Sequence, residues 1–316
     1  MGKRKKGNPV HGWVVLDKPI GMTSTQAVAA VRRIFDANKA GHAGTLDPMA
    51  TGILAIALGE ATKTVPFAMD AEKVYRFTAT WGEARDSDDA EGKVTGTSPV
   101  RPAAAAIQTL LPRFTGTLTQ VPPAYSAIKV QGERAYDLAR DGEEVVLEPR
   151  QVQVHEARLL AAGQDSAEFE IRCGKGTYVR AWVRDMALAL GTLGHVSALR
   201  RTRLGGFDQK DAVGLDTLTP FMHSPAAFAY LRPLSTALDG IPALAVSSAD
   251  TVRLRSGNPI LIRANLFAKM QGGFPAEIAG GELSGLTVFL SDEDGGPVAL
   301  AEIAEGELRP FRVFNF

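Results

Sequence analysis

The sequence predicts a mixed α/β (α+β) fold with a small β-rich domain at the C-terminal end, and three observations lead to this prediction. Residues 74–81 alternate between apolar and polar side chains, as a half-buried strand does. Residues 167–173 alternate in the same way and continue, through a turn with two glycines, into a helical pattern that ends at Gly191. Beyond Ile241 the chain holds only short β-like segments, and the sequence DEDGG predicts a hairpin turn between the last two.

The elements before these follow from local signals. Residues 12–19 predict a short apolar strand that ends in a proline turn. Residues 23–35 predict a helix, because Thr23 and Gln26 have the spacing of a capping box. Residues 50–63 predict a buried strand followed by a turn that starts at a glycine. In the later strand–turn–helix unit we expect Thr177 to be the N-cap, with Tyr178 and Arg180 in the first helical turn facing a cleft.

These patterns divide the chain into three parts, and the second part contains an insertion. Residues 1–10 form a basic tail, and residues 11–240 form the main domain. Residues 120–150 are bounded by prolines and mix aromatic, basic and helical signals, so we interpret them as a semi-independent, mobile excursion from the main sheet. Residues 241–316 form the β-rich domain.

The charges of the chain are balanced but segregated. Its 316 residues are 45% hydrophobic and carry 35 basic and 35 acidic side chains. Residues 1–39 hold eight Lys or Arg against two acids, and residues 172–203 hold seven against Asp185 alone. Segregation of this kind favours one face that meets a polyanion, although a patchy solvated surface is the simpler reading.

Several classes of protein are disfavoured. No apolar segment is long enough to span a bilayer, no secretory signal is recognised, and the single Cys173 fits a reducing cytoplasm. No Cys/His pair has zinc-ligand spacing, and no phosphate loop, dinucleotide fingerprint, nucleophile elbow or HExxH motif is present. We therefore expect a cytoplasmic protein without metal or cofactor. We also expect a monomer, because no long apolar stripe is left unexplained.

One carboxylate stands out. Asp47 lies in the stretch GHAGTLDPMATG, residues 41–52, among small and apolar side chains. It could be a turn-forming residue, or a nucleophile if it is held, ionised and shielded from water. His42 on the same loop could stack on a base, and Arg180 could hold a carboxylate ionised. The remaining candidates are pocket-wall or core residues, namely Tyr75, Tyr178 and Leu199.

Five ordered stretches together resemble the TruB family of tRNA pseudouridine-55 synthases. They are LDKPIGMTS, AGHAGTLDPMATGILAIALGEATK, YSAIKVQGERAYDLAR, CGKGTYVRAWVRDMALALG and HVSALRRTRLGGF. The resemblance covers residues 11–240, and the GTLDPxATG signature is specific to the enzyme superfamily. It implies the pseudouridine synthase fold, a mixed, largely antiparallel sheet flanked by helices, with a PUA-like C-terminal domain at residues 241–316. The segment at 120–150 would close over the RNA.

The resemblance also implies roles for single residues. Asp47 matches the family's catalytic aspartate, and Arg180 matches the arginine paired with it. Tyr75 matches the tyrosine that stacks on the flipped uracil, and His42 matches a histidine that contacts the target nucleotide. Three further residues match pocket or near-site positions, namely Tyr178, Leu199 and Lys18. One departure is Ala43, where many members have threonine; we expect it to remove one polar contact to RNA.

The implied reaction converts uridine 55 in the tRNA T-loop to pseudouridine without a cofactor. Asp47 could attack C6, attack C1′ or abstract the 2′ proton, and each course requires an ionised carboxylate, so we expect Arg180 to keep its pKa low. The partner is the T-arm of tRNA, and a tRNA folding chaperone role could coexist. Three other readings stay open: a non-catalytic RNA-binding protein, a base-excising glycosylase, and a synthase for another RNA uridine.

Overall fold

A largely antiparallel sheet forms the centre of the computed structural model, which describes residues 7–126, 128–130, 133–134, 147–263 and 283–316. Within these residues nine strands join in the order β1-β3-β12-β4-β11-β10-β7, with β2 paired to β3 and β13 paired to β12. Only the β12–β3 contact in this sheet is parallel. The predicted mixed, largely antiparallel sheet is confirmed.

The described residues form eighteen strands and six α-helices. The strands are β1 Gly12–Lys18, β2 Ala40–Ala43, β3 Ala50–Leu58, β4 Lys73–Trp81, β5 Glu83–Arg85, β6 Val94–Thr97, β7 Gly116–Gln120, β8 Lys129–Val130, β9 Glu133–Arg134, β10 Arg150–Ala162, β11 Ser166–Cys173, β12 Gly194–Leu204, β13 Phe207–Asp208, β14 Ala243–Ala245, β15 Ile260–Leu261, β16 Thr287–Ser291, β17 Pro297–Ala304 and β18 Glu307–Val313. The helices are α1 Ser24–Ile34, α2 Val65–Asp70, α3 Ala104–Leu110, α4 Val179–Ala189, α5 Leu215–Leu218 and α6 Ser248–Arg255.

Helix α1 begins as its sequence predicts. The Thr23 side chain accepts a hydrogen bond from the Gln26 backbone amide, and the Gln26 side chain accepts one from the Thr23 backbone amide. This reciprocal capping box satisfies two of the amides that a helix start leaves without partners. The helix then buries Ala27, Val31 and Ile34 against the sheet.

The start of helix α4 differs from the prediction by one residue. Tyr178, not Thr177, is the N-cap, with extended backbone and no capping by its side chain. Thr177 instead donates from its hydroxyl to the Gly174 carbonyl, which closes the turn after β11. The helix end is confirmed, because Gly191 follows the C-cap Leu190 with a φ of 73°.

Aromatic side chains pack α4 against the sheet. Trp182 contacts Phe77, Phe114 and Phe169 at ring-centroid distances of 5.2 to 5.6 Å. Its indole also donates to the Phe114 carbonyl at 3.1 Å. Trp182 and Phe169 are fully buried. This packing fixes the first turn of α4, and therefore Arg180, relative to the sheet.

The C-terminal residues form a second sheet with the order β14-β16-β17-β18-β15. The DEDGG sequence joins β16 to β17, so the predicted hairpin is confirmed. Phe314 and Phe289 are buried in one cluster with Trp13 and Phe207, which attaches the small sheet to the main one. Residues 1–6 of the predicted basic tail, and residues 127, 131–132 and 135–146 of the segment at 120–150, lie outside the described residues. In the part of the chain that is described, no helix has the length and apolar character required to cross a membrane.

Candidate active site

Asp47 lies in the loop between β2 and β3, and buried polar contacts hold this loop from behind. Ser24 Oγ accepts from the Leu46 amide at 2.9 Å and donates to the Leu46 carbonyl at 3.0 Å. The Lys18 ammonium is completely buried and donates to three carbonyls, those of Pro19, Met22 and Pro48. These contacts place the carboxylate before any substrate binds.

Arg180 meets this carboxylate from the first turn of α4. Its Nη2 lies 2.9 Å from Asp47 Oδ2. The same guanidinium donates to the Ser87 carbonyl at 2.9 Å and to the Tyr125 carbonyl at 2.8 Å, and only 4% of its side chain is exposed. The guanidinium group is a planar fork of N–H donors whose directions are fixed. These contacts therefore orient the cation toward Asp47.

A second carboxylate shares the arginine, and the sequence reasoning missed it. Asp89 Oδ2 lies 3.4 Å from Arg180 Nη1, and Asp89 Oδ1 accepts from the Ser87 hydroxyl at 2.5 Å. Asp89 belongs to the stretch GEARDSDDAEG, whose composition predicts an acidic loop. Its 3% exposure shows that this part of the stretch folds inward. The only signal available was the run of acids itself, which does not indicate which one is buried.

The ion pair stands between two cavities. The larger, of about 510 Å³, is lined by five of the predicted site residues, Asp47, Tyr75, Tyr178, Arg180 and Leu199, and also by Arg201. The smaller, of about 220 Å³, is lined by Asp47 and Arg180 together with Asp89 and Glu91. The larger cavity has the size of a small-molecule pocket. Its lining combines aromatic and apolar side chains with two carboxylates, Asp47 and Asp70, and with several Lys and Arg side chains, so it suits a planar base that is attached to a phosphate backbone.

The pKa of Asp47 differs from the expectation. Burial raises the pKa of this carboxyl above its usual range, and the negative charge of Asp89 adds to that rise. The charge of Arg180 and, more weakly, that of Lys18 oppose the rise without overcoming it. The expected low pKa is therefore wrong in direction: the arginine limits the effect of desolvation and does not reverse it.

Two tyrosines form walls of the larger cavity. Tyr75 projects from β4, and burial raises the pKa of its phenol, while the nearby Arg201 charge opposes that rise. Tyr178 is fixed through its backbone, because Gln120 both accepts from the Tyr178 amide at 3.2 Å and donates to its carbonyl at 3.4 Å. Burial also raises the pKa of the Tyr178 phenol. Both hydroxyls therefore remain protonated at neutral pH.

Leu199 lies on β12 opposite Phe77 of β4 and is 8% exposed.

His42 and Lys18 are not among the residues that line either cavity. His42 lies on β2, and its buried Nδ1 has no hydrogen-bond partner among the described residues. Burial lowers the pKa of this imidazole, and the charge of Arg201 lowers it further, so the ring is neutral at pH 7.

The side chain of Ala43 is fully buried, against the expectation for this position. It packs in an apolar cluster with Val15 and Ile53. Because the side chain at this position lies inside the protein, its burial gives no support to the expected loss of a polar contact to RNA, which stays a prediction.

The basic segment 172–203 is less available to a polyanion than its composition indicated. Arg180 and Arg201 are buried. Arg184 pairs with Asp88 and Asp185, each at 2.9 Å. The remaining close pairs of this segment are Arg172 with Glu72, Lys175 with Asp70, and Arg200 with Asp17. Much of this charge orders the protein itself, and the exposed pairs are worth little to stability.

Comparison with known proteins gives consistent similarities. Residues 32–179 match the TruB family pseudouridylate synthase N-terminal domain, and residues 180–239 match the tRNA pseudouridylate synthase B C-terminal domain. The chain is 55% identical to tRNA pseudouridine synthase B of Rhodopseudomonas palustris, over 99% of this chain and 83% of that protein. It is 50% identical to the enzyme of the same name from a Caulobacter species, over 100% and 99% of the two chains.

Solved structures support the fold. The archaeal box H/ACA sRNP Nop10–Cbf5 complex includes a chain that superimposes with a TM-score of 0.71 at 22% identity, covering 100% of this chain and 93% of that one. A chain of a Cbf5–Nop10–Gar1 complex gives a TM-score of 0.69 at 24% identity, over 96% and 84%. At these identities the likeness shows a common fold.

Proposed function

The chain belongs to the TruB family of pseudouridylate synthases and is an enzyme of that class, and we propose that it isomerises uridine 55 in the T-loop of tRNA. The relatives' names support tRNA as the substrate. The observation that carries the proposed chemistry is the Asp47–Arg180 ion pair at the wall of a cavity that two tyrosines and a leucine complete.

The reaction balances without a cofactor. The C1′–N1 bond breaks, the uracil turns, and C1′ joins C5; the C5 proton is lost to solvent and N1 gains a proton. No oxidant or reductant is consumed. The protein's own residues have to bind the base, exclude water and supply the carboxylate and the proton transfers.

The base must leave its stack before it reaches Asp47. Flipping a nucleotide out of a folded loop costs a few kcal/mol. The Tyr75 ring and the Leu199 side chain offer apolar surfaces that replace part of the lost stacking. We propose that His42, which is neutral and lies outside the cavity lining, contacts the nucleotide at the entrance.

Asp47 is the proposed catalytic residue in all three courses left open by the sequence, namely attack at C6, attack at C1′ and abstraction of the 2′ proton. Its carboxylate is directed by Arg180 and remains accessible, with 34% of the side chain exposed. The expected contact of Lys18 with the substrate stays a prediction. We propose in addition that Lys18 positions the loop, because its ammonium donates to the Pro48 carbonyl next to Asp47.

The position of the modified uridine is tested by mapping. An unmodified tRNA transcript is incubated with the enzyme, treated with a carbodiimide that marks pseudouridine, and read by primer extension. We expect one stop, next to position 55, and none in a transcript with cytidine at that position. A stop at another uridine would overturn the T-loop assignment and leave the enzyme class intact.

A role in tRNA folding would require that the protein bind tRNA, but it would not require the Asp47 carboxylate. Asp47→Asn separates the two activities, because it removes the charge and keeps the shape of the side chain. Refolding of a denatured tRNA, followed by its aminoacylation, measures that second role. Equal acceleration by wild type and variant would support it, and no acceleration by either would exclude it.

A further inference from the structure

Arg201 is a buried cation for which the reaction described above has no use. It lies on β12, is 1% exposed, and ranks among the largest fully buried side chains. It takes part in none of the ion pairs formed by the described residues. A buried charge without a counter-charge is costly, and an apolar side chain of similar volume is often as stable or more stable. Stability alone therefore gives little reason to keep an arginine here.

Two hydrogen bonds of Arg201 go to the backbone on either side of Asp47, one to Gly44 at the start of its loop and one to Ile53 inside β3. Its Nη2 donates to the Gly44 carbonyl at 3.0 Å, three residues before Asp47. Its Nε donates to the Ile53 carbonyl at 2.8 Å, six residues after Asp47. One planar guanidinium thus spans residues 44–53, and the two bonds use donors whose directions are fixed relative to each other.

The backbone around the loop is shaped to admit this contact. Gly44 has a φ of 74°, and a Cβ there would lie 3.2 Å from Arg201 Nη1. Gly52 has a φ of 93°, and a Cβ there would lie 2.2 Å from the Arg201 carbonyl oxygen. Both glycines therefore permit β12 and its arginine to approach the loop more closely than a side chain would allow.

Arg201 also faces the substrate cavity. It lines the same 510 Å³ space as Asp47 and Tyr75, and its backbone is the register partner of Tyr75 on β4 and of Gly52 on β3. The Arg201 side chain also forms a hydrogen bond with the Tyr75 side chain, so it connects the proposed stacking tyrosine of β4 with the loop that carries the carboxylate.

We propose that Arg201 is a positioning residue of the pseudouridine synthase reaction, which holds the backbone on either side of Asp47 at a fixed distance from Tyr75. This inference rests on the proposed role of Asp47. Loss of the fork would let the loop shift while the RNA-binding surface stays in place. A displacement of about 1 Å at a reacting group can cost on the order of 100-fold in rate.

The test compares Arg201→Lys and Arg201→Met in single-turnover assays at saturating enzyme, using tritium release from tRNA labelled at uridine C5. Lysine keeps the charge but cannot span both carbonyls, and methionine removes charge and fork together. We expect the rate constant to fall about 10-fold for lysine and about 100-fold for methionine. The Kd for tRNA should stay within about threefold of wild type, because only the geometry of the reacting groups changes.

A matched control is Arg232→Lys. Arg232 pairs with Asp211 at 2.7 Å and is 44% exposed, away from both cavities. It should react at the wild-type rate. A merely structural role for Arg201 would lower the melting temperature and the fraction of active enzyme, while the rate constant of the folded fraction stayed unchanged.

Gly44→Ala tests the same contact from the loop side and covers the case in which Arg201→Met does not fold. The added Cβ would lie 3.2 Å from Arg201 Nη1, and a φ of 74° strains an alanine, so the loop and the Arg201 guanidinium would both have to shift. We therefore expect a slower rate constant with unchanged tRNA affinity. Wild-type rate constants for both Arg201→Lys and Gly44→Ala, or losses found only in Kd, would overturn the proposal. Failure of the proposed function is distinct, because the wild type itself would then release no tritium.

Discussion

Arg180 and Asp47 face each other at 2.9 Å across the wall that separates two cavities. The arginine is buried in the first turn of α4, and the carboxylate stands on a loop that opens to the larger cavity. The pair therefore joins a helix that aromatic side chains pack against the sheet to the loop of the proposed catalytic residue. The charge of Arg180 lowers the pKa of Asp47 only in part, because burial and the negative charge of Asp89 together raise that pKa.

Arg180→Lys should lower the single-turnover rate constant about 100-fold, because an ammonium cannot contact Asp47, Asp89 and two carbonyls at once. The measurement is tritium release at saturating enzyme. Arg184→Lys, one turn further along α4, is the control and should stay within about threefold of wild type. A rate constant for Arg180→Lys equal to that of the control would show that the fork is unimportant.

The pH dependence of the rate follows from the direction of the Asp47 shift. The proposed chemistry requires the ionised Asp47 carboxylate, so the rate should fall at acid pH with an apparent pKa above 3.8, the ordinary value for aspartic acid. Asp89→Asn removes a negative charge that raises the pKa of Asp47. The acid limb of the pH–rate profile, that is, the fall of the rate at acid pH, should therefore move to lower pH.

The profile is measured with single-turnover rate constants between about pH 4.5 and 8, with the extent of tRNA binding checked at each pH. Asp165→Asn, at an exposed carboxylate that pairs with Arg101, is the control and should leave the limb in place. An acid limb that moves to higher pH in Asp89→Asn would contradict the account of the charges.

Much of the fold was predictable from the sequence because local signals agreed with the packing. The capping box at Thr23, the alternation in β4 and the DEDGG hairpin each depend on neighbouring residues alone. The shift of the N-cap from Thr177 to Tyr178 shows the limit of such signals. The tertiary bonds of Tyr178 to Gln120, 58 residues away, accompany a helix start that the local preference for threonine did not predict.

The candidate site was predictable in part. The GTLDPxATG signature indicated Asp47, and the structure brings it together with Tyr75, Tyr178, Arg180 and Leu199. Asp89 and Arg201 were not singled out, because burial of a charged side chain depends on contacts between residues more than ninety positions apart. The direction of the Asp47 pKa shift was missed for the same reason: the desolvation that dominates it cannot be read from the chain.

Thr23→Ala should lower the free energy of unfolding by about 1 kcal/mol, the usual cost of losing an N-cap hydroxyl. Thr23→Ser keeps the hydroxyl and is the matched control. Urea unfolding of the three proteins measures the difference. Equal stabilities of the alanine and serine variants would mean that the capping box seen in α1 contributes nothing.

Cys173 should be inert in the folded enzyme. Burial raises the pKa of its thiol to about 11, and the side chain is fully buried in the apolar core cluster that packs against the main sheet. We expect no reaction with a thiol reagent at pH 8 in the native protein and one equivalent after denaturation, because the thiolate is the reacting form. Rapid native labelling at a rate close to that of a free thiol would contradict the burial of this strand.

The most direct test of the central claim is tritium release from a tRNA transcript labelled at uridine C5, with wild type, Asp47→Asn and the control Asp165→Asn. Bond formation at C5 expels the tritium into the solvent. A base-excising enzyme would instead release uracil that still carries the tritium at C5. We predict release by wild type and by Asp165→Asn, and none by Asp47→Asn although it binds tRNA with a similar Kd. Substantial release by Asp47→Asn would contradict the assignment of Asp47 as the catalytic residue.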